Sequence, residues 1–404
     1  MKRRSLEIDI NRAGRYFRRL ILFLSPDGIN QRLSKIDKQI QSASGIYLKN
    51  WVIPRAAWWL GLKEARAIIQ RNDSFRGATS ILMERPLQTA VKLSILHNTF
   101  TASKSIEFRS RILADDILEP TLFEIDTASH FWQLGYDIEW FENRSDSGER
   151  TPEFIAKRND HEIEVECKSK QADSGRRIER ATFYRLVDLI FPIIEKKGLS
   201  GIIFLEVPAR LPRQTEWFLE VQQAVEDRFE SGSGSVVLSG DEQFIFDLHI
   251  ADGSVVHLRE LASMVDPVSN TYSHFAFMGQ RRNDLISNPI VFRLDSKKRD
   301  AFLDNVMESL RNAQQQFTGN RSALISCLIP EIDSFEGLQS DSAIVRMTNH
   351  YFEEYSKDFI NTVSYVSEMN RVEEGGVIIS DMPSLTFRNH KYNEKFGPDI
   401  PISQ

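Results

Sequence analysis

Thr151-Pro-Glu-Phe-Ile-Ala156, a turn at Asn159-Asp160 and the run His161-Glu-Ile-Glu-Val-Glu-Cys-Lys168 form the stretch on which the reading of this chain turns. Two short β-prone runs around an Asn-Asp pair predict a pair of strands joined by a tight turn. Side chains alternate along a strand, so Ile163, Val165 and Cys167 fall on one face and Glu162, Glu164, Glu166 and Lys168 on the other. A polar strand face is either solvated or a site. Carboxylates in line beside a strand that bears Glu153 have the oxygen chemistry that hard divalent cations require. A lysine next to them can orient or deprotonate a water and offset charge on a phosphate. Glu-x-Lys alone is common. A second copy, Glu195-Lys-Lys197, reads as solvent-facing charge at a helix end. The setting of Glu166-Cys-Lys168 therefore carries more weight than the tripeptide.

Working outward, Glu119-Pro-Thr-Leu-Phe predicts the start of a helix that runs to Leu134, with Pro120 in its first turn and Gly135 past its end. A strand follows at Tyr136–Phe141, then a polar loop from Asn143 to Arg150. Downstream, Ile178–Lys197 reads as a helix and Gly201–Val207 as a buried strand. The first hundred residues read as helical, with helices at Arg15–Leu24, Ile29–Ser42 and Trp58–Arg71. Trp51, Trp58 and Trp59 suit packing between helices, with base stacking as the alternative. In the C-terminal half, Trp217–Phe229 predicts a helix, and Ser235–Leu238, Gln243–Ile250 and Pro289–Leu294 predict strands. Arg299–Phe317 reads as a helix, Ala323–Ile329 as an apolar strand and Tyr351–Val363 as a helix. Gly376–Ile379 with Ser384–Phe387 reads as an edge hairpin.

The order of Phe123-Glu124 in a helix, Gly135-Tyr136-Asp-Ile as a strand, Thr151-Pro-Glu153-Phe and Val165-Glu166-Cys-Lys168 resembles the PD-(D/E)xK superfamily of restriction-endonuclease-like nucleases. The resemblance covers roughly Leu118 to Lys170. It implies an α/β fold with a mixed central sheet flanked by helices, preceded by an N-terminal helical region. The expected division is 1–105 helical, 106–335 nuclease core and 336–404 a C-terminal α/β extension, separate or part of the same domain. By the same resemblance Glu153 and Glu166 hold Mg2+ or Mn2+, Glu124 completes the shell directly or through water, and Lys168 serves the nucleophilic water. One departure stands out: Glu153 occupies the place where the family most often has Asp. The extra methylene displaces the carboxylate by roughly an ångström, which near-octahedral magnesium tolerates poorly. Arg180-x-x-x-Tyr184 loosely resembles the Gln-x-x-x-Tyr of exonuclease-like branches. With Lys170 and Arg177 these residues are candidate phosphate contacts. A solvated basic face paired with Glu179 and Asp188 is the equal alternative.

Bulk properties bound the partners. A chain of 404 residues suggests two or three domains, and 41% hydrophobic with 27% charged residues predicts an ordinary folded protein. The net charge of −6 means that any hold on phosphates relies on local basic patches, of which Arg3, Arg4, Arg15, Arg18 and Arg19 make the densest. Cys167 and Cys327 form no disulfide framework, and no C-x-x-C or paired-histidine spacing points to zinc. With no apolar run of membrane or signal length, a cytoplasmic protein is expected. The functional expectation is a divalent-metal phosphodiesterase acting on nucleic acid, DNA by the family's habit. Restriction, repair and anti-phage defence are the compatible settings. The alternative is an inactive member of the fold that binds nucleic acid or scaffolds a complex. A homo-oligomer or protein partner suits either reading.

Overall fold

The computed structural model describes residues 12–42, 52–53, 56–71, 75, 80–114, 118–141, 151–170, 175, 178–197, 200–207, 215–231, 234–237, 243–251, 255–257, 274–282, 285–299, 301–329, 342–367, 370–374, 377–381, 384–398 and 400. They divide into two compact units, one of residues 1–37, 56–174 and 303–404, the other of 38–55 and 175–302. This division differs from the expected boundaries at 105 and 335. The reason is strand pairing, because the C-terminal residues complete the sheet that begins near residue 137.

The described N-terminal residues include the helices α1 (Ala13–Leu24), α2 (Pro26–Ser42), α3 (Ala57–Gln70), α4 (Ile81–Leu96) and α5 (Ala102–Leu113). Ala13, Phe17, Leu20 and Leu24 line the buried stripe of α1, the spacing that a half-buried helix demands. Trp58 and Trp59 are core residues of α3, and the Trp58 indole N–H donates to Thr89 Oγ1 at 3.1 Å. They pack rather than stack on a ligand; Trp51 lies outside the described residues. A Cβ on Gly61 would sit 1.9 Å from the Leu82 carbonyl oxygen, so only glycine lets α3 and α4 approach so closely.

Helix α6 (Leu118–Gln133) ends at Gly135, whose φ of 88° is the left-handed stop expected of it. The chain enters β1 (Asp137–Trp140), β2 (Phe154–Arg158) and β3 (His161–Ser169), an antiparallel meander with Asn159 at φ 53° in its tight turn. The second unit follows, with α7 (Arg180–Lys197), β4 (Ser200–Val207), α8 (Thr215–Ser231), β5 (Gly234–Val237), β6 (Gln243–Ala251), β7 (Val255–His257), β8 (His274–Arg282) and β9 (Leu285–Ser296). Its sheet runs β5-β6-β4-β9-β7, with β8 also on β9. Phe183, Leu186, Val187, Leu205, Phe218 and Phe292 are among the side chains of its own core. The chain then returns to the first unit through α9 (Phe302–Ala313), β10 (Ser322–Leu328), α10 (Ala343–Glu354), β11 (Ile360–Val366), β12 (Asn370–Glu374), β13 (Val377–Asp381) and β14 (Ser384–Arg388).

The first unit's sheet is six-stranded and mixed, in the order β1-β2-β3-β10-β11-β14. β10 lies parallel to both β3 and β11, while the two edges are antiparallel. All seven residues of β10 are buried, as a parallel strand covered on both faces must be. An aromatic cluster of Phe108, Phe131, Trp140 and Phe154 fills the space around α6 and the β1–β2 hairpin. The fold is thus α/β, with a mixed sheet flanked by helices.

Two expected elements differ. Tyr351–Val363 is not a helix: α10 stops at Glu354, and residues from Ile360 form β11. The β-branched Ile360, Thr362, Val363 and Val366 gain more from parallel pairing with β10 than from helical spacing. The expected hairpin of 376–379 with 384–387 is also re-paired. β13 bonds to β12, and β14 closes the edge of the main sheet against β11.

Candidate active site

Strand β3 places the candidate residues. Its residues 163–167 are all buried, because β2 and β10 cover both its edges and neighbouring elements cover its faces. The two glutamates toward its start are structurally satisfied. Glu164, fully buried, accepts from the Thr318 N–H at 2.8 Å, from the Thr318 hydroxyl at 2.5 Å and from Arg321 at 3.1 Å. Glu162 pairs with Arg321 and, at 3.3 Å, with Lys157. The expected line of three carboxylates is therefore divided, and Glu162 and Glu164 serve the fold.

Glu166 is different. It is 1% exposed; one oxygen accepts from Lys168 Nζ, and the other, Oε2, is buried with no hydrogen-bond partner. Lys168 also donates to Gln316 Oε1 at 2.8 Å, in the 3-10 turn after α9. Burial and the charge of Glu153 push the Glu166 carboxyl up to about 8, although Lys168 opposes them.

Glu153 lies just before β2 rather than within it. Phe154 pairs with Val165, yet the Glu153 N–H also bonds the Val165 carbonyl at 3.0 Å. Two residues thus stand against one, as in a β-bulge, a device that sets a side chain apart from a strand's alternation. The half-buried Glu153 lies within electrostatic reach of Glu166, Glu124 and Arg111.

Glu124, on the buried face of α6, is gripped by the two terminal nitrogens of Arg111 from α5, one contact at 2.7 Å. Burial, then the Glu153 charge, raises its carboxyl to about 7 against the pull of Arg111. Burial tends to lower the Arg111 pKa, but its pairing with Glu124 outweighs this and the net shift is upward. Cys167 is buried beside these acids. Burial first, then Glu124 and Glu153, holds its thiol well above the ordinary range, so it is no nucleophile.

The structure therefore brings Glu124, Glu153, Glu166 and Lys168 into one electrostatic cluster. Lys170 follows on the same strand end, its pKa lowered by burial despite Glu308 nearby. Arg180 and Tyr184 belong to α7 in the other unit, where the half-buried Tyr184 packs against that unit's core. Arg177 lies outside the described residues. The sequence reading missed Arg111 and Gln316. The Lys104-x-x-Glu107-x-x-x-Arg111 spacing along a helix was the available signal for the first; none existed for the second, 148 residues from its partner.

Among the described residues, no three His, Cys, Asp or Glu side chains are arranged as a ready metal cage. The donor set is nevertheless all oxygen, and the orphaned Glu166 oxygen supplies an unsatisfied ligand position. Both observations fit a hard divalent ion. No family model matches the chain, and no curated protein matches its sequence.

Proposed function

We propose that the first unit is a restriction-endonuclease-like domain that hydrolyses phosphodiester bonds of nucleic acid, DNA foremost, with Mg2+ or Mn2+. The observation that supports this most directly is the pair Glu166–Lys168. A buried carboxylate with one oxygen unsatisfied stands two residues from a lysine that it holds in place. An unpaired polar atom in an interior costs stability and calls for an explanation, and a ligand supplies one. Glu166 and Glu153 would hold the ion, with Glu124 behind them. A bound divalent ion would supply charge neutralisation and a more acidic water.

The protein's own groups perform the remaining work. Lys168, fixed between Glu166 and Gln316, presents ammonium protons where charge accumulates on the scissile phosphate. The raised carboxyl of Glu166 favours a proton when no cation is present, so loading the site releases one. The test is cleavage of plasmid DNA and of RNA with and without Mg2+, by wild type and by Lys168→Ala. We expect metal-dependent cleavage that falls by about 10^2-fold or more in the variant. Absence of cleavage of every substrate by wild type sinks the reading.

A second reading has its own support. With Glu124 clamped by Arg111 and Glu166 tied to Lys168, the acids are partly neutralised without any metal. That arrangement suits a non-catalytic member of the fold that binds nucleic acid or scaffolds a complex. Nucleic-acid binding that ignores Mg2+ and survives Lys168→Ala would favour it.

A further inference from the structure

Helix α5 turns three charged residues toward the carboxylates, and none of them belongs to the strand–turn–strand motif. Lys104 Nζ lies 3.2 Å from Glu107 Oε1, and Arg111 Nη1 lies 3.3 Å from that same oxygen. Arg111 then grips both oxygens of Glu124. Aromatic rings adjoin both cations, two of them beside Lys104 and one beside Arg111. Lys104, buried almost completely, sits 5.1 Å from the Phe108 ring centre and 5.7 Å from that of Trp140. The guanidinium of Arg111 lies 5.8 Å over Phe108. Burying cations is costly unless anions nearby require them. Here Glu107, Glu124 and Glu153 require them, and Arg111 is the cation that interacts with all three.

We propose that Arg111 is a placeholder cation: its guanidinium fork holds Glu124 in the metal-free protein and yields at least one Glu124 oxygen when a divalent ion enters. The inference rests on the metal-site reading above and deepens it. Both Glu124 oxygens accept from Arg111, so an ion that draws on Glu124 competes with the guanidinium for the same carboxylate charge, and ligation through both oxygens displaces the fork. The exchange has a route. Arg111 keeps a second partner in Glu107 on its own helix, and about a fifth of its side chain already faces solvent. Charge balance favours the same exchange. Once Glu107, Glu124, Glu153 and Glu166 are all ionised around a bound ion, their four negative charges against Lys104, Arg111 and Lys168 leave one, which a divalent ion overshoots unless a cation withdraws. The aromatic packing of Lys104 marks that residue as the fixed member and Arg111 as the mobile one.

The experiment is Mn2+ binding by calorimetry, with melting curves in and out of Mn2+, on the full chain as wild type, Arg111→Met and Arg111→Lys. Arg111→Met is expected to melt lower than wild type without metal and to bind Mn2+ about tenfold more tightly. That factor is the worth of one charge-assisted hydrogen bond that no longer has to be broken. Mn2+ should restore its melting point toward the wild-type value, because the ion takes over the guanidinium's role. Arg111→Lys keeps the charge but loses the fork, and should bind severalfold more tightly than wild type. It is the variant to read if Arg111→Met does not fold. Equal or weaker Mn2+ binding by these variants, with wild type binding normally, overturns the proposal and makes Arg111 a permanent buttress. If neither wild type nor variant binds Mn2+, the metal-site reading itself fails and the placeholder falls with it.

Discussion

The two ends of β3 carry the same residue type on the same strand face and have opposite fates. At its start Glu162 and Glu164 are met by Arg321, Lys157 and Thr318, and Glu164 has hydrogen bonds to both oxygens. At its end Glu166 keeps a buried oxygen with no partner and shares its lysine with Gln316. One segment makes the distinction. The connection between α9 and β10 runs along this face, supplying Gln316, Thr318 and Arg321 in turn. It satisfies the first two glutamates and leaves the third to Lys168. A buried polar face is tolerable when its groups are paired. The unpaired position is where a function for the strand is to be sought, since proteins accept local instability chiefly at sites.

The comparison breaks most visibly at Arg321. Arg321→Met leaves Glu164 buried without its cation and deprives Glu162 of one of its two. Removing one partner of a buried pair is strongly destabilising, and we expect a loss of about 3 kcal/mol. The value sits at the low end of the range because Arg321 is a third exposed and Thr318 keeps two hydrogen bonds. Urea unfolding reads it directly. A change below about 0.5 kcal/mol would show that the start of the strand is not structurally committed as described. Metal-dependent cleavage, measured at a temperature where the variant stays folded, should persist.

The pairing also explains which features the sequence disclosed. Alternation in residues 161–168 fixed the strand, its turn and its polar face, and Gly135 fixed the end of α6, because these depend on near neighbours. The strand face that carries Glu166 and Lys168 was legible for the same reason, whereas Glu124 was singled out only through the family resemblance. What separates Glu164 from Glu166 was not legible, since Thr318, Arg321 and Gln316 are some 150 residues away. The mistaken helix over 351–363 has a similar origin. Its second half became β11 because β10 offered a parallel partner, which local propensity does not reveal.

Acid and base should separate the two ends with opposite sign. The Glu166 carboxyl is raised from 4.5 to about 8, so the folded protein binds its proton more tightly than the unfolded chain does. Its contribution to metal-free stability is complete below about 4.5 and is lost as pH rises toward 8. The carboxyl of Glu162 is held below its ordinary value, first by its hydrogen bond to Arg321. Its stabilisation is present above 4.5 and is lost as pH falls further. Denaturant unfolding across pH 3 to 9 should therefore lose its alkaline decline in Glu166→Gln and part of its acid decline in Glu162→Gln. At pH 8 without metal, Glu166→Gln should equal or exceed wild type by about 1 kcal/mol, since a buried carboxylate with one unsatisfied oxygen is replaced by a neutral amide. An unchanged alkaline limb in Glu166→Gln would contradict the account of its burial.

The smallest effect is expected at Gln316. Its side-chain oxygen is the neutral half of the cradle that holds Lys168, and Glu166 is the charged half. Gln316→Leu keeps most of the volume while removing that acceptor. Lys168 is 23% exposed, so water can replace the lost bond, and stability should fall by about 1 kcal/mol or less. The consequence for the comparison is positional rather than energetic. Without Gln316 the ammonium is held by Glu166 alone, which draws it toward the orphaned oxygen and makes the end of β3 resemble its start. If Lys168 acts on the scissile phosphate from its present place, this substitution should lower kcat more than it changes KM. A Gln316→Leu protein that loses stability as expected but keeps its kcat would show that Lys168 needs no second anchor. The partner that distinguishes the two ends would then be Glu166 alone.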